Sequence, residues 1–186
     1  MKNIIVFSGS NSSNSINKQL LLSASKKLEL DSVQYVDLSE YDAPVFGEDL
    51  EKEAGIPTQI RDLKIMFSNA DGFMISIPEH NGLLPAFFKN ILDWLSRIDQ
   101  NIFYQKPVFL LSTSPGQYGG QSNLKILESL FPRWGAEVIS VFSLGNFYDN
   151  FDLELGVIKN DELQLKLEAA VKDFRNAINL AVEEFI

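Results

Sequence analysis

The stretch Ile4-Ile5-Val6-Phe7-Ser8-Gly9-Ser10-Asn11-Ser12-Ser13-Asn14-Ser15-Ile16-Asn17 decides the architecture. Its first four residues are apolar and mostly β-branched, the pattern of a strand buried on both faces. Gly9 to Ser15 are all polar or glycine, and Ile16–Leu28 then carries apolar residues at helical spacing. A buried strand that runs through a short polar loop into a helix is the first half of a βαβ unit.

The alternation repeats along the chain. Val33–Val36, Gly72–Ile77, Val108–Thr113 and Glu137–Phe142 read as further strands. Gln59–Asn69, Ala86–Ile98, a helix containing Asn123–Phe131, and Leu163–Phe185 read as further helices. Pro78 ends the third strand, and Pro85 stands at the first turn of the helix after it, where a missing N–H costs little. Regular alternation implies a parallel sheet with right-handed crossovers and helices on both faces. Leu38–Pro57 and Ser143–Lys159 read as surface excursions, which either line a substrate pocket or are simply solvated. With 186 residues and no linker or repeat, the chain is expected to form one domain over 1–186.

Composition removes several kinds of chemistry. The chain has no cysteine and one histidine, His80, so thiol nucleophiles and Cys/His metal clusters are excluded. A net charge of −9 disfavours nucleic acid, whose phosphates need lysine and arginine. The short apolar run at the N-terminus is no signal-peptide core, and no later run reaches membrane-span length. The expectation is a cytoplasmic protein with no membrane partner.

In an open α/β sheet, ligands bind beyond the carboxyl ends of the strands, where strand order reverses. Function is therefore sought in the loops after strands one, three and four. Gly9–Ser15 places four hydroxyls and two amides at a helix start, whose free N–H groups and dipole favour an anion. It has neither GxxxxGK[ST] nor GxGxxG, which leaves a monophosphate ester as the best fit; the bland alternative is ordinary helix capping. Pro78-Glu79-His80-Asn81-Gly82 contains an Asn-Gly turn, which exposes consecutive amides suited to the polar edge of a flat ring. By itself it reads as a plain βα turn. His80 is the one side chain available there as a general acid, although a lone turn histidine more often packs or hydrogen-bonds. In Ser112-Thr113-Ser114-Pro115-Gly116-Gln117-Tyr118-Gly119-Gly120, three glycines allow close backbone approach to a ligand, and Tyr118 offers a stacking face.

At these three loops the sequence resembles the NAD(P)H-dependent FMN reductases, a family that includes quinone, chromate and azo-dye reductases. Gly9 to Asn17 resembles G-S-x-R-x-x-S-x-N. Pro78–Gly82 with Lys89-Asn90-Ile91-Leu92-Asp93-Trp94 resembles P-E-Y-N-G followed by K-N-x-x-D-W. Ser112–Gly120 resembles S-x-S-P-G-x-x-G-G. The resemblance implies a flavodoxin-like three-layer α/β/α sandwich around a five-stranded parallel sheet of order 2-1-3-4-5. It places Ser10, Ser12, Ser15, Ile16 and Asn17 around an FMN phosphate. Pro78, Glu79, His80, Asn81 and Gly82 lie against the isoalloxazine and ribityl groups, with Ser114, Gly116 and Gly119 opposite, where Tyr118 would stack. NADPH or NADH is the implied hydride donor, and the acceptor a flavin, quinone, azo compound or metal oxyanion. The family arginine is Ser12 here, which removes an ion pair worth about 1.5–3 kcal/mol, and the family tyrosine is His80. The other readings are a flavodoxin-like electron carrier, whose T-x-T-G-x-T loop is absent, and a flavin-free binding protein.

One partner expectation comes from Ala86–Ile98. Phe87, Phe88, Ile91, Leu92, Trp94 and Leu95 project over an arc of about 160°, wider than the ~100° stripe that covering a core requires. The excess points to a homodimer, possible as part of a tetramer, through the helix carrying Phe87, Phe88 and Trp94; the other reading is a helix overlain by a surface loop.

Overall fold

β1 (Ile4–Ser8) is paired on both edges, with β2 (Val33–Val36) on one side and β3 (Gly72–Ser76) on the other. β4 (Lys106–Thr113) and β5 (Ala136–Leu144) extend the sheet to the order β2-β1-β3-β4-β5, with every pair parallel. These are features of a computed structural model that describes residues 2–30 and 33–180. The strand-order reversal lies between β1 and β3, as expected for the flavodoxin-like topology.

Alternate residues of the central strands enter opposite layers. Ile5 and Phe7 of β1 join a core with α3 (Thr58–Ser68), α4 (Ala86–Ile98) and α5 (Gln121–Leu130). Ile4 and Val6 join a second core with α1 (Ile16–Lys26) and α7 (Asp161–Leu180). Both faces of β1 and β3 are thus fully buried, which explains their unbroken apolar runs. Register aligns the strand ends: Ser8 pairs with Ser76, and Ser76 with Leu111. The loops after β1, β3 and β4 therefore leave the sheet side by side.

The two excursions have more structure than their sequences suggest. Leu38–Pro57 holds a 3-10 turn at Leu38–Tyr41 and α2 (Glu48–Ala54), none of whose residues is buried. Ser143–Lys159 holds the end of β5, α6 (Phe147–Asn150) and a hairpin of β6 (Phe151–Asp152) and β7 (Val157–Ile158). The last helix begins two residues earlier than its apolar pattern, at Asp161; the remainder of the expected span, 181–185, lies outside the described residues.

The wide apolar arc of α4 is filled largely from within the chain, so its width alone does not argue for a subunit interface. Phe88 and Trp94 are buried. Trp94 Nε1 donates to Pro44 O at 2.8 Å, and the Phe46 ring meets Trp94 edge-on with centroids 5.1 Å apart. Asn90 ties down the same excursion, accepting from Phe46 N at 2.8 Å and donating to Ala43 O at 2.9 Å. The covering loop is the 42–47 segment, and Phe87 alone of the three named residues remains half-exposed.

Candidate functional site

The loop after β1 is anchored at both ends and open in the middle. Gly9 N donates to Ser76 O at 2.9 Å, fixing the start of the loop to β3. Ser15 is the N-cap of α1, its hydroxyl accepting from Lys18 N at 3.2 Å, and Gln19 N reaches Ser15 O. That leaves the N–H groups of Ile16 and Asn17, the first two helical residues, without an intrahelical acceptor. Ser10 accepts from Ser12 N at 3.2 Å, and Asn11, Ser12, Ser13 and Asn14 are exposed.

Asn17 has a different role from the one its motif suggests. Its side chain is buried, donates to Thr113 O at 3.0 Å, and accepts from Thr113 N at 3.0 Å and Ser76 Oγ at 2.9 Å. The amide therefore locks α1 to β3 and β4, and what Asn17 offers an anion is its backbone N–H.

The loop after β3 forms a two-residue hairpin turn. Asn81 and Gly82 have φ of 54° and 82°, and His80 and Leu83 exchange backbone hydrogen bonds of 2.8 and 3.1 Å. Glu79 turns its carboxylate away toward α5, where it accepts from Asn123 N at 3.0 Å and caps that helix. Asn123 Nδ2 donates back to Pro78 O at 3.2 Å, so this loop is fixed to α5 at two points.

The loop after β4 is pinned to its neighbour in the sheet. Phe147 N donates to Ser114 O at 3.1 Å and Asn146 N to Gly116 O at 2.9 Å. Ser143 Oγ donates to Tyr118 O and Gly119 O at 3.2 and 3.0 Å. Gly119 and Gly120, with φ of 56° and 80°, are buried against Ser143 and Ser112. Their missing side chains make room for Ser143 and Ser112, so the freedom of these two glycines serves the approach of chain to chain.

Together the loops enclose a cleft of about 270 Å³ lined by residues of all three, including Ser10, Ser12, Ser15, Ile16 and Asn17 from the first, Pro78, Glu79 and His80 from the second, and Ser114 from the third. Nine of the fourteen expected site residues thus share one cleft. Asn81 and Gly82 stand at the hairpin tip outside it. Gly116 and Gly119 belong to the pinned part of the third loop, and Tyr118, 67% exposed, is likewise not among the lining residues. The cleft adds Asn14, Thr113, Pro115 and Tyr148, which motif reading did not select. Asn14, Thr113 and Pro115 lie inside the quoted motifs, whereas Tyr148 comes from the 143–159 excursion, whose aromatic pair Phe147-Tyr148 is the available signal.

A second cleft of about 260 Å³ lies on the other side of the serine loop, lined by Ser10 and Ser12 again and by Lys18, Tyr35 and Asp37. Lys18 lies 3.7 Å from Asp37 and 4.9 Å from the centre of the Tyr35 ring. A hydrogen bond to Tyr35, reinforced by Asp37, holds the Lys18 ammonium above its ordinary value, and hydrogen bonds from Ser39 hold the Asp37 carboxyl below its own.

A family model for NADPH-dependent FMN reductases matches residues 2–149. The chain belongs to that family. An uncharacterised protein of Mycoplasma pneumoniae is 31% identical over 152 residues, 77% of this chain and 87% of that one. A quinone reductase of Escherichia coli is 37% identical over 79 residues, 42% of each chain. A 2-hydroxy-1,4-benzoquinone reductase of a Burkholderia species is 34% identical over 127 residues, 66% of this chain and 67% of that one. The flavoenzyme NAD(P)H:acceptor oxidoreductase FerB of Paracoccus denitrificans shares the fold, with a TM-score of 0.75 at 24% identity over 96% of this chain and 98% of that one. No described helix is long and apolar enough to cross a membrane.

Proposed function

We propose that the chain is an FMN-dependent NAD(P)H oxidoreductase that passes reducing equivalents to a small acceptor, with quinones the class favoured by its named relatives. The observation that carries the reading is the start of α1: two N–H groups without intrahelical acceptors, at the positive end of a helix dipole, in a cleft lined by serine hydroxyls. That donor set fits a phosphate ester. Ser10, Ser12, Ser15 and the N–H groups of Ile16 and Asn17 would hold the phosphate, with Pro78, Glu79, His80 and Ser114 toward the rest of the flavin. FMN at this place supplies two-electron chemistry between nicotinamide and acceptor; the protein supplies binding, orientation and exclusion of water. No side chain is assigned a proton-transfer role, although His80, exposed on the cleft rim, is available for one.

The test is a visible absorption spectrum of the purified protein before and after FMN is added. Flavin bands that perturb on binding, and bleach at a catalytic rate with NADPH or NADH, support the reading. Absence of binding overturns it, and bleaching too slow for turnover turns the protein into a carrier.

The reading extends to the whole chain as one functional unit, working as a homodimer in the cytoplasm. With Phe88 and Trp94 buried, half-buried Phe87 and exposed Val45, Leu83 and Ile98 are apolar side chains of α4 and its adjoining segments that a second copy would cover. Sedimentation that shows only monomer at micromolar concentration defeats the dimer.

A further inference from the structure

Among the described residues lining the three-loop cleft, Tyr148 is the one phenylalanine, tyrosine or tryptophan, and it shares that cleft with Pro78, Glu79, His80, Ser114 and Pro115. It is 58% exposed, whereas Phe147 next to it is fully buried. An aromatic ring left in water on a surface loop needs no explanation when its backbone is loose. This one is held from several directions. Phe147 stacks on Phe151 with centroids 4.7 Å apart and meets Tyr148 edge-on at 5.5 Å. The turn before it is bonded to the β4 loop through Asn146 N to Gly116 O and Phe147 N to Ser114 O. Asn146 takes a left-handed φ of 48° to make that turn, a conformation that non-glycine residues seldom adopt. On the far side Lys159 Nζ donates to Tyr148 O at 3.1 Å and Lys159 N to Asn150 O at 2.8 Å. A rigid mount presents an exposed ring to a cleft whose remaining lining is hydroxyl residues, asparagines, prolines, Ile16, Glu79 and one imidazole.

We propose that Tyr148 is the ring on which the electron acceptor stacks, so that the cleft selects flat aromatic acceptors over compact ones. The inference rests on the flavin reading above and goes beyond it by assigning acceptor choice to a residue outside the three motifs. A planar molecule meets the ring over its face, with dispersion and quadrupole attraction; a compact complex anion has no face to offer. Loss of one aromatic contact of this kind corresponds to about a three- to tenfold change in affinity.

The experiment uses Tyr148→Ala and Tyr148→Phe in the FMN-loaded protein. Binding of 2-naphthoate, a flat aromatic, to the oxidised protein is read from flavin absorbance, and KM is measured for 1,4-naphthoquinone and for ferricyanide. Tyr148→Ala is expected to weaken naphthoate and raise the naphthoquinone KM about three- to tenfold, with ferricyanide KM and FMN affinity unmoved and Tyr148→Phe like the unaltered protein. Planar values that stay put, planar and ferricyanide values that rise together, or a loss confined to FMN affinity would each overturn the proposal. If the unaltered protein takes up no FMN, the flavin reading is what fails. Calorimetric titration of the flavin-free protein with naphthoate then still decides Tyr148, by whether Tyr148→Ala weakens binding.

Discussion

The loops that follow β1 and β4 border the same cleft, yet they direct their polar groups in opposite senses. The Gly9–Ser15 loop is fastened only at its ends, through Gly9 N and the Ser15 cap, and its middle residues are exposed. The Ser114–Gly120 loop gives its carbonyls at Ser114, Gly116, Tyr118 and Gly119 to the β5–α6 connection. Both have the small, polar, flexible composition associated with ligand loops. What separates them is whether a neighbouring segment already satisfies the backbone. β5 continues alongside β4 to Leu144 and supplies such a segment at Ser143–Phe147, while α1 leaves its first donors open.

The largest effect should come from adding a methyl group to the pinned loop. At Gly120 a Cβ would collide with the Ser112 hydroxyl, and at Gly119 it would lie 2.6 Å from Gly145 N, in both cases at a positive φ. Strain and overlap together predict a loss of about 3 kcal/mol or more for Gly120→Ala or Gly119→Ala. Gly116→Ala, in the same loop, has no neighbour closer than 3.9 Å and should shift stability by less than about 0.5 kcal/mol. Urea midpoints for the three variants measure this directly. Equal, small losses at all three would mean that the loop is not pinned as described.

The next effect separates buried from open polar groups within the serine loop's own motif. Asn17→Ala strands Thr113 N and O and Ser76 Oγ in the interior, at a cost of about 2–3 kcal/mol. Ser10→Ala and Ser12→Ala should leave the urea midpoint within about 0.5 kcal/mol and instead weaken FMN, by about tenfold or less for a neutral hydrogen bond. The comparison breaks if Asn17→Ala proves as stable as Ser12→Ala.

Much of this is legible in the sequence. The unbroken apolar runs of β1, β3 and β4 and the helical spacing between them carry the parallel sheet, because burial on both faces leaves no other pattern. Ser10, Ser12, Ser15 and Ile16 stand in the cleft where their place after β1 puts them. Three things were not legible. The width of the α4 apolar face was plain, but local periodicity cannot tell a covering loop from a second subunit, and Phe46 is distant in sequence. The glycines of the third loop carry no mark of whether a ligand or Ser143 lies opposite. Tyr148 has no motif, and only the anchoring of α6 against Ser114 and Gly116 brings it to the cleft.

The smallest expected effect concerns the flank of the serine loop, where Lys18 is, among the described residues, the one lysine or arginine lining either cleft that Ser10 and Ser12 share. Lys18 and Asp37 side chains are 32% and 39% exposed, so water screens their pairing, and Lys18→Gln should cost less than about 1 kcal/mol at neutral pH. The Asp37 carboxyl titrates below its ordinary 3.8, so its stabilisation is present above that value and fades as pH falls through the lowered one. Lys18 titrates above its ordinary 10.5, so its share is present below that value and fades as pH rises through the raised one. Because Ser39 holds Asp37 down more than Lys18 does, Ser39→Ala should alter the acid side of the stability profile more than Lys18→Gln. Ligand affinity sharpens the same point. With Ser12 uncharged, Lys18 is the cation placed to act on a phosphate across the loop. Lys18→Gln should therefore weaken FMN by up to about tenfold at low salt, with the difference shrinking as salt is added, and should leave riboflavin, which has no phosphate, unaffected. A variant that weakens riboflavin as much as FMN would place Lys18 in the scaffold of the loop instead of in its field.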